Sequence, residues 1–237
     1  MAGLMHGFGS WLRGKVSSAR WILTELAGSE EQALQAERLV GAGMAAALAA
    51  EGTTRPFADP LVDSCGLRLA GRVKDRRRQF AFLVLPSPQV NAFALPGGFV
   101  YITQPLLALV RWDPDCVAFV LGHEMGHIVR GHAKDRILNG SLFSVLTAAF
   151  PAAGVARAPL QMLAGQFLQS AYSQDQELDA DAFGIKLARA AGFDARAAVR
   201  VLHHLASVSG SPSALEGYFS SHPPHDLRIE SIQRLLG

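Results

Sequence analysis

The sequence predicts a mainly α-helical protein with one small, three-stranded antiparallel β-sheet. Helix-opening Asp-Pro pairs stand at Asp59-Pro60 and Asp113-Pro114. β-rich apolar runs are confined to a single window, Phe80 to Thr103. Beyond Thr103 the apolar residues keep helical spacing. With 237 residues, 49% hydrophobic and 18% charged, the chain can bury a sizeable core, and it is too weakly charged to be disordered or a coiled coil. The balance of 22 basic against 20 acidic residues gives no global electrostatic case for nucleic acid. Cys65 and Cys116 are too few for a disulfide scaffold or a thiolate metal cluster.

Residues 1–34 read as an N-terminal amphipathic helical extension and residues 35–237 as the main domain. Residues 1–28 scatter Arg13, Lys15 and Arg20 among apolar positions, unlike an export signal. Their stripe of Leu4, Phe8, Trp11, Leu12, Ile22 and Leu26 could pack on the domain or make peripheral contact with an anionic membrane. Ser29 and Gln32 form a capping box, opening a helix to about Glu51. Asp59-Pro60 opens a second helix, to about Gly71, and the basic cluster Arg72 to Arg78 marks a solvated turn.

Three strands follow: Phe80–Leu85, Val90–Leu95 and Phe99–Thr103. Pro86-Ser87-Pro88 and Pro96-Gly97-Gly98 separate them as turns. Asp113-Pro114 starts a helix with Val117, Val120, Leu121 and Ile128 on helical spacing. Ile137–Ala156 is long and apolar enough to raise a membrane question. Its Asn139, Gly140, Thr147, Pro151 and Gly154 favour buried helices covering a cleft over a membrane-dipping hairpin. Ala158–Ala191 reads as one long helix, stopped by Gly192.

The chemistry lies on the helix opened at Pro114. His123, Glu124 and His127 form an HExxH pattern, and positions four apart share a helix face, so both imidazoles can reach one metal ion. Glu124 is offset by about 100° from His123, beside the metal, where a general base would stand. Three ionisable residues on an apolar helix are costly unless paired or ligating. His132, five residues past His127 and turned about 140° away, is expected to stand behind a ligand or at the helix end. Glu177 is the candidate third ligand. Asp181, one turn further on, can accept the free ring N–H of a liganding histidine.

His123–His127 followed by Glu177 and Asp181 resembles the gluzincin-type metallopeptidases, and further motifs narrow this to the M48 family. The stretches Asn91–Thr103, Gly122–His127, Glu177–Gly184 and Ser221–Arg228 match that family's motifs in order. Gln174 departs from the arginine that members usually carry. The resemblance implies a zincin-like architecture and a zinc-dependent endopeptidase with one Zn2+ per chain, held by His123, His127 and Glu177. Glu124 would be the base. It also implies membrane-associated or cell-envelope work on unfolded or membrane-associated polypeptide, although residues 1–28 show no clear signal peptide.

Three further expectations concern substrate and regulation. An extended substrate could add to a strand edge formed by Asn91, Ala92, Phe93 and Ala94 or by Gly98 and Phe99. His222, on a turn with Pro223 and Pro224, could stabilise an oxyanion, close the site as a fourth ligand, or be a surface residue. Arg228 lies close enough in sequence to support it. The rival reading is a chaperone-like or assembly module with a closed, proteolytically silent zinc site.

Overall fold

The computed structural model describes residues 24–50, 55–138, 157–207, 218, 221–222 and 226–237. The expectations for residues 1–23, and for all of Ile137–Ala156 beyond Leu138, lie outside the described residues. No helix among the described residues is long and apolar enough to cross a membrane.

Local capping chemistry decides where the helices begin. Helix α1 (Glu30–Ala50) starts at a reciprocal box: Gln32 N–H donates to Ser29 Oγ at 3.3 Å, and Ser29 N–H to Gln32 Oε1 at 2.9 Å. The Asp59 carboxylate accepts the Leu61 and Val62 N–H groups at the head of α2 (Pro60–Ala70). Helix α3 (Gln104–Leu109) is short, and α4 (Pro114–Val129) is capped by Asp113, which accepts from Asp115 N–H. Then follow α5 (His132–Leu138), α6 (Arg157–Gln169), α7 (Gln174–Ala190), α8 (Ala197–Ser207) and α9 (Asp226–Leu236). The single helix expected over Ala158–Ala191 is therefore two. Ser173 caps α7 in a second capping box, with Gln176, and breaks the helix there.

The sheet corrects a second expectation. Strands β1 (Ala81–Leu85), β2 (Ala92–Leu95) and β3 (Phe99–Thr103) lie in the order β1-β3-β2. Strand β2 pairs antiparallel with β3, but β1 runs parallel to β3, so the sheet is mixed, not antiparallel. Gly97 and Gly98, at φ 73° and 101°, close the β2–β3 hairpin in the left-handed region that glycine tolerates. The proline-rich link after β1 closes no hairpin, which leaves the neighbouring position for β3. Gly98 and Phe99 thus open the central strand, paired on both sides, and cannot be a free edge. The edge beside the metal-motif helix is β2.

Alternation along the strands divides the interior into two cores. Phe82, Val84, Ala92, Ala94, Val100 and Ile102 face α2 and α4, in a cluster with Cys65, Val117 and Leu121. Phe93, Leu95, Phe99 and Tyr101 face α1 and α6, with Leu39, Met44 and Phe167. Every residue of α4 from Cys116 to Ile128 is buried. Its most extensive partner is α7. The two helices touch through small residues: a Cβ on Gly184 would lie 2.9 Å from the His123 nitrogen, and one on Gly126 would lie 3.1 Å from the Ala180 Cα.

That contact leaves no room for a side chain. Gly184→Val is expected to lower unfolding free energy by about 1–3 kcal/mol through overpacking. Urea denaturation measures it, and an unchanged midpoint would contradict the close approach.

Candidate metal centre

The contact between α4 and α7 brings the sequence-predicted donors together. His123, His127, Glu177 and His222 are all buried, and one potential ligand atom from each lies within 4.8 Å of the other three. The two Nε2 atoms of His123 and His127 face one another at 3.1 Å. Glu177 approaches both imidazoles, with Oε1 3.4 Å from His127 Nε2 and Oε2 3.6 Å from His123 Nε2.

Each ligand candidate is held from behind. Asp181 Oδ1 lies 2.8 Å from His123 Nδ1, which carries the ring proton if Nε2 is to donate its lone pair. Arg228 grips Asp181 with Nε on Oδ2 at 2.8 Å and Nη2 on Oδ1 at 2.7 Å, and its Nη1 reaches Glu177 Oε2 at 3.0 Å. Behind His127, Nδ1 meets His132 Nδ1 at 3.1 Å, and His132 Nε2 lies 3.5 Å from Asp179 Oδ2. One proton arrangement satisfies this chain: His127 Nδ1–H donates to His132, whose Nε2–H faces the carboxylate. His132 thus lies against the far edge of the ligand candidate His127, a position that the helical-wheel argument did not anticipate. Gly131, at φ 82°, ends α4, and the turn returns His132 to the same side.

His222 enters from the C-terminal segment. Its Nδ1 lies 2.9 Å from Glu177 Oε1 and its Nε2 lies 3.4 Å from Glu124 Oε1. It is fully buried, which excludes the surface reading. Two main-chain bonds fix this segment: His222 N–H donates to Tyr218 O at 2.8 Å, and Tyr172 N–H donates to Ser221 O at 3.1 Å.

Burial and charge set the protonation tendencies. Burial raises the Glu124 pKa, against the pull of His222 and His123. Burial also drives His127 well below the usual imidazole range, which keeps it neutral. Burial would raise Asp181 and Glu177, but Arg228 outweighs it at Asp181 and His222 and His127 outweigh it at Glu177. At His222 the desolvation cost is overcome by Glu177 and Glu124, and its pKa is raised.

These residues fit a divalent ion. Buried polar atoms are normally satisfied, yet Glu124 Oε2 and His222 Nε2 have no hydrogen-bond partner. Glu177 Oε2, although close to Arg228, also lies outside hydrogen-bond geometry. Unsatisfied oxygen and nitrogen atoms therefore converge where two imidazole lone pairs also point. Asn91, at the head of β2, has a buried and unpartnered Oδ1 as well.

Tyr172 and Arg136 belong to this centre and were missed by sequence reasoning. The Tyr172 ring stacks on His127 with centroids 3.6 Å apart. A signal for the helix break that places Tyr172 was present in the Ser173 and Gln176 capping-box pattern.

Residues 57–236 match the model of Peptidase family M48, and the chain belongs to that family. It is 35% identical over 167 residues to the mitochondrial metalloendopeptidase OMA1 of Bos taurus, covering 65% of this chain and 32% of that protein. The Arabidopsis thaliana mitochondrial metalloendopeptidase OMA1 is 35% identical over 141 residues, 60% of this chain and 28% of its own. A beta-barrel assembly-enhancing protease of Yersinia pestis is 29% identical over 189 residues, 75% of this chain and 39% of its own. The chain thus spans about a third of the length of these curated relatives.

Removing the Arg228 cation leaves Asp181 and Glu177 buried without it. Arg228→Leu is expected to cost about 3–5 kcal/mol at neutral pH. The native Asp181 pKa is depressed, so its stabilisation is present above the unfolded value of about 4 and is lost as pH falls through the native one. The difference between wild type and variant should therefore shrink in acid. A gap that stays constant from pH 7 to pH 3 in urea titrations would contradict this electrostatic account.

Proposed function

We propose that this chain is a zinc metalloendopeptidase in which His123, His127 and Glu177 hold one Zn2+ and Glu124 is the general base. The single observation that carries the reading is the convergence of these three side chains, from two helices, beside a buried glutamate with an unpartnered oxygen. Two imidazoles and a carboxylate are the donor set of a hydrolytic zinc site, which keeps one further position for solvent or substrate. When bound, zinc acidifies a water molecule and polarises the scissile carbonyl.

The protein's own residues do the rest. Glu124 accepts the proton of the attacking water at its carboxylate and returns it to the leaving amine; its raised pKa brings it nearer to neutrality for both tasks. Asp181 and His132 orient the two imidazoles, and Arg228 favours the ionised form of Asp181.

Substrate is proposed to bind along β2. In the antiparallel ladder with β3, the residues opposite one another alternate between bonded and non-bonded pairs. Thr103 N–H donates to Asn91 O, so Ala92 and Ala94 turn their own N–H and C=O groups to the free side. An extended peptide could complete that edge as a further strand, a mode tolerant of sequence and suited to unfolded segments. Quality-control work on unfolded or membrane-associated polypeptide, at a membrane or in a cell envelope, follows from the family resemblance.

One observation favours a second reading: His222 lies among the ligand candidates, as a closing fourth donor would. The site would then be silent until His222 withdraws, and the chain would bind clients without cutting them. His222→Ala separates the roles: activity rises if His222 closes the site and falls if it stabilises the oxyanion.

Glu124→Gln should lower casein cleavage by about 10²–10⁴-fold while zinc content is unchanged, and a chelator should abolish wild-type cleavage. Equal activity of the two proteins would refute the assignment. Ala94→Pro removes one outward-facing N–H of the edge strand. It should raise KM for peptide substrates severalfold with a smaller effect on kcat. An unchanged KM in a protein of normal melting temperature would count against the β2 edge.

A further inference from the structure

The Tyr172 ring is packed on both faces. One face carries the His127 imidazole, 3.6 Å away and 12° from parallel. The Arg136 guanidinium lies 3.9 Å from the centroid of the same ring. Two groups this close to one centroid cannot share a face, so the order is His127, Tyr172, Arg136. Arg136 is itself anchored: Nε donates to Ser170 Oγ at 2.9 Å, Nη2 donates to the carbonyls of Phe167 and Ser170, and its guanidinium covers the Phe167 ring. These contacts cap the C-terminal end of α6 and hold the break before α7.

We propose that Tyr172 is a positioning residue for the metal centre, clamped by Arg136 against His127 so that the imidazole is held in one ring orientation. Two restraints then act on His127 in perpendicular directions. His132 meets its Nδ1 edge, which sets the tautomer, and Tyr172 covers its face, which prevents rotation about the ring axis. A cation over the far face of an aromatic ring is attracted by the ring quadrupole, so the anchored Arg136 fixes the ring that His127 stacks on. The same residue's main-chain N–H holds Ser221, next to His222. The break between α6 and α7 therefore places a ligand candidate on α4 and the segment that brings His222 into the site. The contacts to His127 and Arg136 are made by the faces of the ring, and Tyr172→Phe keeps both.

The inference rests on the proposed zinc site, and its test reads metal binding and not cleavage. Zinc affinity by chelator competition and the visible spectrum of the Co2+-substituted protein are measured for wild type, Tyr172→Phe, Tyr172→Leu and Arg136→Met, with the melting temperature of each metal-free protein as the folding control. Tyr172→Leu should weaken zinc by about 10–100-fold and shift the Co2+ bands, while Tyr172→Phe stays within about twofold. Arg136→Met should weaken zinc in the same direction by a smaller factor. Unchanged affinity and spectrum in Tyr172→Leu would overturn the proposal. If Tyr172→Leu does not fold, Arg136→Met decides, and wild-type affinity in that variant overturns it. A wild-type protein that binds no zinc would instead refute the metal site and this inference with it, which distinguishes the two failures.

Discussion

Everything at the centre depends on how closely α4 and α7 approach. Gly122 and Gly184 meet backbone to backbone, and Gly126 meets Ala180 one turn later. At that separation the side chains flanking the contact, His123 and His127 on one helix and Glu177 and Asp181 on the other, reach across it. A larger residue at Gly184 would push the helices apart and move both pairs together. The small residues are thus as necessary to the site as the donors, although they contribute no chemistry.

The approach has an electrostatic cost, and the local arrangement offsets it. Three carboxylates (Glu124, Glu177 and Asp181) and four imidazoles (His123, His127, His132 and His222) lie in one buried volume, where an unpaired charge is expensive. Arg228, itself buried, neutralises Asp181 and Glu177 together. His132 and Asp179 continue the polar chain from His127 toward solvent. Half of the buried side-chain atoms left without a partner among the described residues belong to Glu124, Glu177 and His222 at this centre, where a bound cation would satisfy them.

Much of this was legible because its signals are local. HExxH and the Glu177–Asp181 spacing are statements about one helical turn, and the caps at Ser29, Asp59 and Asp113 are statements about three residues. The order of the strands was not legible: two turn-like proline and glycine clusters look alike in sequence, yet only Gly97-Gly98 closes a hairpin. The helix break at Ser173 could have been seen, since Ser173 and Gln176 repeat the pattern of Ser29 and Gln32. The expectation that His132 stands behind a ligand or at the helix end rested on a projection that assumed a continuous helix, whereas Gly131, at φ 82°, follows the end of α4. The stacking of Tyr172 on His127 joins positions 45 apart and left no periodic trace. Nor did the burial of His222, whose segment is tied to a distant one by the bond from Tyr172 N–H to Ser221 O.

The central claim is that two histidines and a glutamate, from two helices, grip a single divalent ion. Zinc K-edge absorption spectroscopy of the purified protein and of Glu177→Ala tests it most directly. The account predicts one zinc per chain in a shell of nitrogen and oxygen only, at about 2.0–2.1 Å, with imidazole scattering retained and one oxygen donor lost in the variant. A sulfur-containing shell, or a coordination shell unchanged by removal of Glu177, would contradict it.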